Sequence, residues 1–301
     1  MNCKIGAKYF IIISYLVFMC GCGKSVEEKD LLTQLKDHEL VLQVEFIDSE
    51  TQQFNVQTYL FRYKSDDCEV EAYISVPNEY IENKGQYPCI VFNRGGNRDF
   101  SANTPESVSY FADSSNQIVV ASQYRGCSGS TGWDEYGGED VNDVIHLLDI
   151  CEDLSIIDAD ELYMMGVSRG GMMTYRAISQ DDRIKKAVVI SGVADLFLSY
   201  ENRDDMKILL KELIGGSPVE LHEEYEKRSA TYWAEEIKCP VLIIHSKWDE
   251  KVSYAEAEKM VDCLEKESKE YKFISYEDNV HGLHSEDFSV IMDWFGLITI
   301  P

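Results

Sequence analysis

The chain has 301 residues, of which 45% are hydrophobic and 11% aromatic, which excludes a disordered chain and a multi-pass membrane protein. Its formal net charge of −26 argues against nucleic acids and anionic lipid surfaces as partners, because both would repel it. After an N-terminal leader about 280 residues remain, a length that suits one α/β domain.

The N terminus has the composition of a secretory signal over residues 1–21. Two lysines precede an apolar run at residues 9–19, and a polar stretch follows Gly21 and Cys22. The run of about 11 residues is too short to span a hydrocarbon core of roughly 30 Å as a helix. We therefore expect an exported protein.

Cys22 follows a small residue after the apolar run, which is similar to the lipobox of bacterial lipoproteins. The resemblance implies cleavage before Cys22 and a lipid on its thiol, with Cys20 as a rival position. Residues 22–38 would then be a lipidated linker, with a reach of roughly 20 Å if flexible. Plain secretion and an uncleaved anchor are the alternatives.

Residues 39–301 are predicted to form one α/β domain. Period-2 alternation predicts antiparallel strands near 40–47, 54–63 and 68–76. Continuous apolar runs predict buried parallel strands, and helical patterns lie between them. The runs are 89–92, 117–121, 162–167, 187–190 and 241–244, with a last strand at 273–276. The helical patterns are 141–152, 171–179, 255–267 and 288–295. Alternating strands and helices indicate a mostly parallel, doubly wound α/β sheet.

The charged stretch at about 195–236 interrupts this alternation between two predicted strands. It has a helical texture and carries a Gly-Gly-Ser-Pro sequence midway. It is predicted to be a small helical insertion, either a partial lid over the site or an ordinary pair of connecting helices.

Gly166-Val167-Ser168-Arg169-Gly170 fits the pattern G-x-S-x-G and lies between a buried strand and a helix, as this motif requires. The turn is so tight that small residues must flank the serine, which lifts its hydroxyl above the sheet. The following helix N-terminus favours developing negative charge. The motif predicts Ser168 as a nucleophile.

A serine hydroxyl needs a base, and the base needs an acid that orients it. In folds with this motif the chain order is serine, acid, histidine. Asp249 follows a later predicted strand, and His281 follows the next one. Glu250 is the alternative acid, and His284 is the alternative base.

An acyl-transfer site also needs two donors for the oxyanion. The backbone amide of Arg169, directly after the nucleophile, is the first candidate. The second is expected from the loop at 93–97, where Arg94 and Gly95 are the candidate residues.

From about residue 64 onward the chain resembles the catalytic domain of the prolyl oligopeptidase family of serine peptidases. The residues that carry the resemblance are 88–96, 124–129, 138–144, the G-x-S-x-G turn, 240–252 and 278–282. The resemblance implies the α/β-hydrolase fold and a triad of Ser168, Asp249 and His281. Because only residues 1–63 precede this region, we expect no N-terminal propeller of the kind that many members carry. Arg94 stands where members carry a tyrosine or a His-Gly-Gly sequence, which excludes a tyrosine-hydroxyl donor there.

The residues and the resemblance together predict a serine hydrolase that cleaves small peptides or esters through an acyl-enzyme on Ser168. Peptide cleavage is favoured, carboxylester cleavage is the alternative, and an inactive ligand-binding surface lipoprotein is a third reading. Neither a metal nor another cofactor is needed for this chemistry, and the cysteine spacings match no zinc pattern.

Overall fold

The structure, a computed structural model, describes residues 29–47 and 52–297. The predicted signal and Cys22 lie outside the described residues. The described part contains a single nine-stranded sheet. Its strands are β1 (Val41–Ile47), β2 (Val56–Ser65), β3 (Cys68–Pro77), β4 (Tyr87–Asn93), β5 (Ile118–Ser122), β6 (Ile157–Val167), β7 (Lys186–Ile190), β8 (Val241–Ser246) and β9 (Tyr271–Tyr276).

Helices connect most of these strands. They are α1 (Leu31–Asp37), α2 (Asn78–Asn83), α3 (Pro105–Ser115), α4 (Val141–Asp153), α5 (Arg169–Gln180), α6 (Leu196–Asn202), α7 (Asp204–Ile214), α8 (His222–Lys227), α9 (Tyr254–Lys266) and α10 (Asp287–Phe295). Two short 3-10 turns, Ala230–Tyr232 and Ala234–Glu236, follow α8.

The strand order is β1-β2-β3-β5-β4-β6-β7-β8-β9. Strands β1, β2 and β3 pair antiparallel, and β3 joins β5 in the same sense. All pairs from β5 through β4 to β9 are parallel. This topology confirms the predicted parallel sheet with antiparallel N-terminal strands. It also brings the carboxyl ends of β4, β6, β8 and β9 to one edge, where open α/β sheets bind ligands.

Hydrophobic cores cover both faces of the sheet. Along β5, Val119 packs in the core with α3 and α10, whereas Val120 packs in the core with α4, α5 and α9. All five residues of β5 and all six of β8 are buried. Burial on both faces explains why these strands are continuous apolar runs rather than alternating ones.

The predicted linker at 22–38 is wrong for residues 31–37, which form α1. The Asp30 carboxylate caps this helix by accepting a hydrogen bond from the Thr33 amide at 2.8 Å. Leu31 and Leu35 are buried in the core that also contains α4 and α5. A segment that buries two leucines is part of the domain rather than a tether.

Within residues 29–47 and 52–297, no helix has the length and apolar content needed to cross a bilayer. The six cysteines of this part are free thiols, and Cys89, Cys127 and Cys151 are buried. The same residues hold no cluster of three or more His, Cys, Asp or Glu side chains arranged for a metal ion.

Candidate active site

Ser168 occupies the sharp turn between β6 and α5. Its φ of 58° and ψ of −122° place a non-glycine residue in a strained region of backbone conformation. A Cβ at Gly166 would overlap the backbone of Gly170, and a Cβ at Gly170 would overlap the carbonyl of Asn93. The steric reason for glycine on both sides of Ser168 is therefore present in the packing.

Asp249 and His281 are in direct contact. His281 Nδ1 lies 2.8 Å from Asp249 Oδ2, and the Asp249 side chain is fully buried while that of His281 is 27% exposed. Asp249 Oδ1 accepts hydrogen bonds from the amides of Lys251 at 2.7 Å and Val252 at 3.2 Å. The rival acid Glu250 is exposed. This arrangement suits Asp249 to orienting an imidazole.

The charge state of Asp249 follows from the same contacts. Burial raises the pKa of its carboxyl, but the hydrogen bonds from His281 and from the amides of Lys251 and Val252 outweigh it. The pKa of Asp249 therefore lies below its ordinary value, and the group is an anion at neutral pH.

Ser168 and His281 line one cavity of about 660 Å³ at the carboxyl edge of the sheet. The loop after β4 contributes Gly95, Gly96 and Asn97 to the same cavity. Ser168 is half-buried, so a substrate can reach its hydroxyl from this cavity. The segments after β4, β6 and β9 thus meet around one space.

His284 is held elsewhere by two carboxylates. Its Nε2 lies 3.0 Å from Asp278 Oδ2, and its Nδ1 lies 3.2 Å from Asp287 Oδ2. Burial lowers the pKa of His284, but hydrogen bonds to both carboxylates raise it above the ordinary value overall. With both ring nitrogens engaged, His284 is poorly placed to take a proton from a serine.

His245, at the end of β8, is also engaged. Its Nε2 lies 3.0 Å from the Val252 carbonyl oxygen, and burial lowers the pKa of its ring. A neutral ring with a proton on Nε2 donates to that carbonyl, so His245 supports the loop that carries Asp249.

The two predicted oxyanion segments lie on either side of Ser168. Arg169 is the first residue of α5, so its amide has no partner within the helix. A Cβ built on Gly95 would lie 3.2 Å from Ser168 Cβ and 3.8 Å from its Oγ. The Arg94 side chain is buried and binds backbone carbonyls, so this residue faces the cavity through its backbone.

The Arg169 side chain lies beneath the turn in a cluster of buried charges. Its Nη2 lies 2.7 Å from Asp134 Oδ1 and 2.5 Å from Asp140 Oδ2. Burial alone would lower the pKa of the guanidinium, but the two carboxylates raise it above the ordinary value. A charge that is paired twice gives the residue after Ser168 a fixed side chain.

The insertion at 195–236 forms part of the cavity wall. Helix α7 contributes Met206 and Leu209 to the lining. Arg203, directly before α7, donates to the Lys251 carbonyl at 2.7 Å, and Arg98 pairs with Glu212 at 2.5 Å. These contacts tie the insertion to the Asp249 loop and to the loop after β4.

Residues 103–295 match the prolyl oligopeptidase family. The chain belongs to this family. The match covers the turn at Ser168 and both other residues of the predicted triad, and it supports a hydrolase with the α/β-hydrolase fold.

Individual relatives agree with the family assignment. The uncharacterized peptidase YtmA of Bacillus subtilis (strain 168) is 32% identical over 200 residues, which cover 66% of this chain and 76% of that protein. The acylaminoacyl peptidase of Pyrococcus horikoshii has a TM-score of 0.69 at 26% identity, covering 80% of this chain but only 42% of the other. An acetyl xylan esterase from Paenibacillus sp. R4 shares the fold, with a TM-score of 0.69 at 17% identity, over 88% of this chain and 91% of that one.

Sequence reasoning missed the residues that support the site from below. The Tyr124 ring contacts the side chains of both Arg94 and Arg169, and Asp134 and Asp140 contact Arg169. Two of the three lie in stretches that carry the family resemblance, 124–129 and 138–144, which was the available signal. Their partners are distant in sequence, so the pairing emerges only in the folded chain.

Proposed function

We propose that the protein is a serine-type peptidase that acts through an acyl-enzyme on Ser168. The observation that carries the proposal is the Asp249–His281 contact beside the cavity that Ser168 lines. Membership of the prolyl oligopeptidase family and the similarity to the peptidase YtmA support peptide substrates.

The proposed reaction has two halves. His281 Nε2 takes the proton from Ser168 Oγ as the oxygen attacks the substrate carbonyl carbon, and the amide of Arg169 donates to the resulting oxyanion. The intermediate collapses when His281 protonates the leaving amine, which leaves the acyl group on Ser168. Water then repeats the sequence with His281 as base and releases the acid. Asp249 holds the imidazole and stabilises its cationic form.

Carboxylester cleavage is the second candidate. Its support is the acetyl xylan esterase fold match, which covers 91% of the other chain, whereas the chain spans less than half of the acylaminoacyl peptidase. Matched aminoacyl p-nitroanilides and p-nitrophenyl esters with the same acyl group distinguish the two. We expect kcat/KM for the anilide within about 100-fold of that for the ester. Ester hydrolysis with no detectable anilide or peptide cleavage would overturn the peptidase proposal.

A catalytically inactive ligand-binding protein is the third reading. A fluorophosphonate probe labels a serine only when a base activates it. We expect wild type to be labelled, Ser168→Ala to remain unlabelled, and His284→Gln to label like wild type as a matched histidine control. Folded wild-type protein that takes up no probe would support the inactive reading.

We also propose that the protein is exported and anchored through a lipid on Cys22. The support is the sequence of the leader, in which a short apolar run precedes Gly21 and Cys22. Expression in a bacterial host followed by membrane fractionation tests this proposal. Cys22→Ala should move the protein to the soluble fraction, with Cys20→Ala as control, and unchanged membrane retention of Cys22→Ala would contradict it.

A further inference from the structure

Three successive carbonyl groups of the loop after β4 point toward one buried cluster of side chains. Arg94 Nη1 donates to the Gly95 carbonyl at 3.0 Å, and Arg169 Nη1 donates to the Gly96 carbonyl at 3.3 Å. The Tyr124 hydroxyl makes a longer contact of 3.4 Å to the carbonyl of Arg94. The orientation of each peptide plane in this loop is therefore set from beneath.

The amide groups of the same peptides must face the opposite way. In a trans peptide the carbonyl of one residue and the N–H of the next point in opposite directions. The N–H groups of Gly95, Gly96 and Asn97 therefore point away from the cluster. These three residues line the cavity together with Ser168, and Gly96 has a φ of +69°. Successive N–H groups around a left-handed residue form a concave anion site.

The side chains of the cluster that sets this orientation are buried and held by several contacts. Tyr124 is fully buried, and its ring contacts both guanidinium groups, with the Arg94 Cζ 5.2 Å and the Arg169 Cζ 5.1 Å from its centroid. Asp134 and Asp140 fix Arg169 from the other side. The Tyr124 ring thus contacts Arg94, at the start of the loop after β4, and Arg169, whose amide is the other candidate oxyanion donor.

Arg94 is an unusual member of the cluster because its side chain is buried and its hydrogen bonds go to carbonyl oxygens. It donates to Gln123 at 2.9 Å and to Arg98 at 2.7 Å, besides Gly95 and Phe100. The planar guanidinium group of Arg94 thus donates to four carbonyl oxygens and holds the loop at several points. A single ammonium group could not reproduce this geometry.

We propose that Arg94, Tyr124 and the Arg169 side chain are positioning residues that preorganise the oxyanion hole. They act through the peptide planes of residues 94–97 and do not touch the substrate. This proposal rests on the proposed acyl-transfer function of Ser168. It deepens that function by assigning the oxyanion geometry to a buried Arg–Tyr–Arg cluster.

Arg94→Met tests the proposal. Removal of one oxyanion donor costs about 100- to 1000-fold in kcat, and misplacement by about 1 Å costs about 100-fold. We expect kcat about 100-fold lower, KM changed by less than about threefold, and the Ki of phenylboronic acid raised in parallel with the loss in kcat. The boronate is a suitable probe because its tetrahedral adduct with a serine places a hydroxyl in the oxyanion hole.

Arg228→Met is the matched control, because Arg228 is another buried arginine but binds Glu135 and Glu224 instead of the loop. It should retain wild-type kcat and Ki in the folded protein. If Arg94→Met does not fold, Arg94→Lys serves in its place. We expect Arg94→Lys to lose about tenfold in kcat, since lysine keeps the positive charge but not the planar set of donors of a guanidinium group.

Tyr124 provides an independent pair of variants. Tyr124→Phe keeps the ring between the arginines and removes only the long 3.4 Å hydroxyl contact, so we expect at most a loss of about threefold in kcat, whereas Tyr124→Leu should lose about 100-fold. Folded Arg94 and Tyr124→Leu variants with wild-type kcat and boronate Ki would overturn the positioning role. Failure of the proposed function is distinguishable, because wild type itself would then neither hydrolyse substrate nor label with fluorophosphonate.

Discussion

Asp249→Asn should inactivate the enzyme while leaving its fold intact. Both effects follow from the hydrogen bonds of the Asp249 carboxylate. Oδ1 accepts from the amides of Lys251 and Val252, so an asparagine must place its carbonyl oxygen there. Its NH2 group then occupies the Oδ2 position, 2.8 Å from His281 Nδ1. Nδ1 must become the acceptor, and the ring proton moves to Nε2.

An imidazole with its proton on Nε2 cannot take a proton from Ser168. The wrong tautomer in a serine–histidine–aspartate triad lowers kcat by about 10⁴, which corresponds to about 5.5 kcal/mol of transition-state stabilisation. Because the two backbone amides keep their acceptor, we expect the melting temperature of Asp249→Asn to stay within a few degrees of wild type.

The assay is steady-state hydrolysis of the best p-nitroanilide or ester, with fluorophosphonate labelling rates measured in parallel. The labelling rate should fall with kcat, since both require proton removal from Ser168. Glu250→Gln is the matched control, because this exposed neighbour should retain wild-type rates. Asp249→Asn activity within tenfold of wild type would refute the tautomer reasoning and the assigned role of Asp249.

Three further outcomes follow from buried groups near the site. The contacts to Asp278 and Asp287 raise the pKa of His284, so its contribution to stability is complete below about pH 6.5 and is lost as pH rises through the higher folded-state value. Urea unfolding across pH 5.5–8.5 should therefore show the destabilisation in His284→Gln shrinking with pH, and a constant difference would contradict it. Burial raises the pKa of Glu256 to about 7. The contribution of this group to the free energy of unfolding should therefore fall as pH rises from about 4.5 to 7, and the fall should be less steep in Glu256→Gln. Gly170→Ala forces a Cβ into a backbone carbonyl, and it should cost about 1–3 kcal/mol in urea unfolding and lower kcat; an unchanged free energy of unfolding would show that the turn can relax.

The strands could be predicted because burial on both faces requires a particular sequence. Each of the nine strands overlaps a segment that alternation or a continuous apolar run predicted. Helix α1 could not be found in this way, since only Leu31 and Leu35 of its seven residues are buried. Helix α3 begins with Pro105 and a reciprocal cap between Thr104 and Ser107. That cap uses serine where the usual pattern has glutamate or glutamine, so the sequence pattern of a capping box does not predict it.

The residues of the candidate site also differ in whether the sequence predicts them. Ser168 could be identified because a local steric demand leaves a local pattern, with glycine on both sides of the turn. Asp249 and His281 could be identified because the order of strands fixes the order of the residues. The burial of the Arg94 and Arg169 side chains could not be predicted in either way. A charged side chain is expected to be solvated, and its burial is tolerable only because folding brings its partners to it.

The buried cluster also explains how an acidic chain can stabilise an oxyanion, which requires positive potential at the site. The formal net charge is −26, and salt screens interactions between exposed charges beyond about 8–10 Å. Asp134 and Asp140 balance Arg169 and Arg94 in number, but both carboxylates contact Arg169. Arg94 donates to the carbonyls of Gly95 and Arg98 in the loop after β4, so its positive charge lies against the loop that would supply the second oxyanion donor. We therefore expect the placement of a few buried charges, rather than the net charge, to govern the potential at the oxyanion.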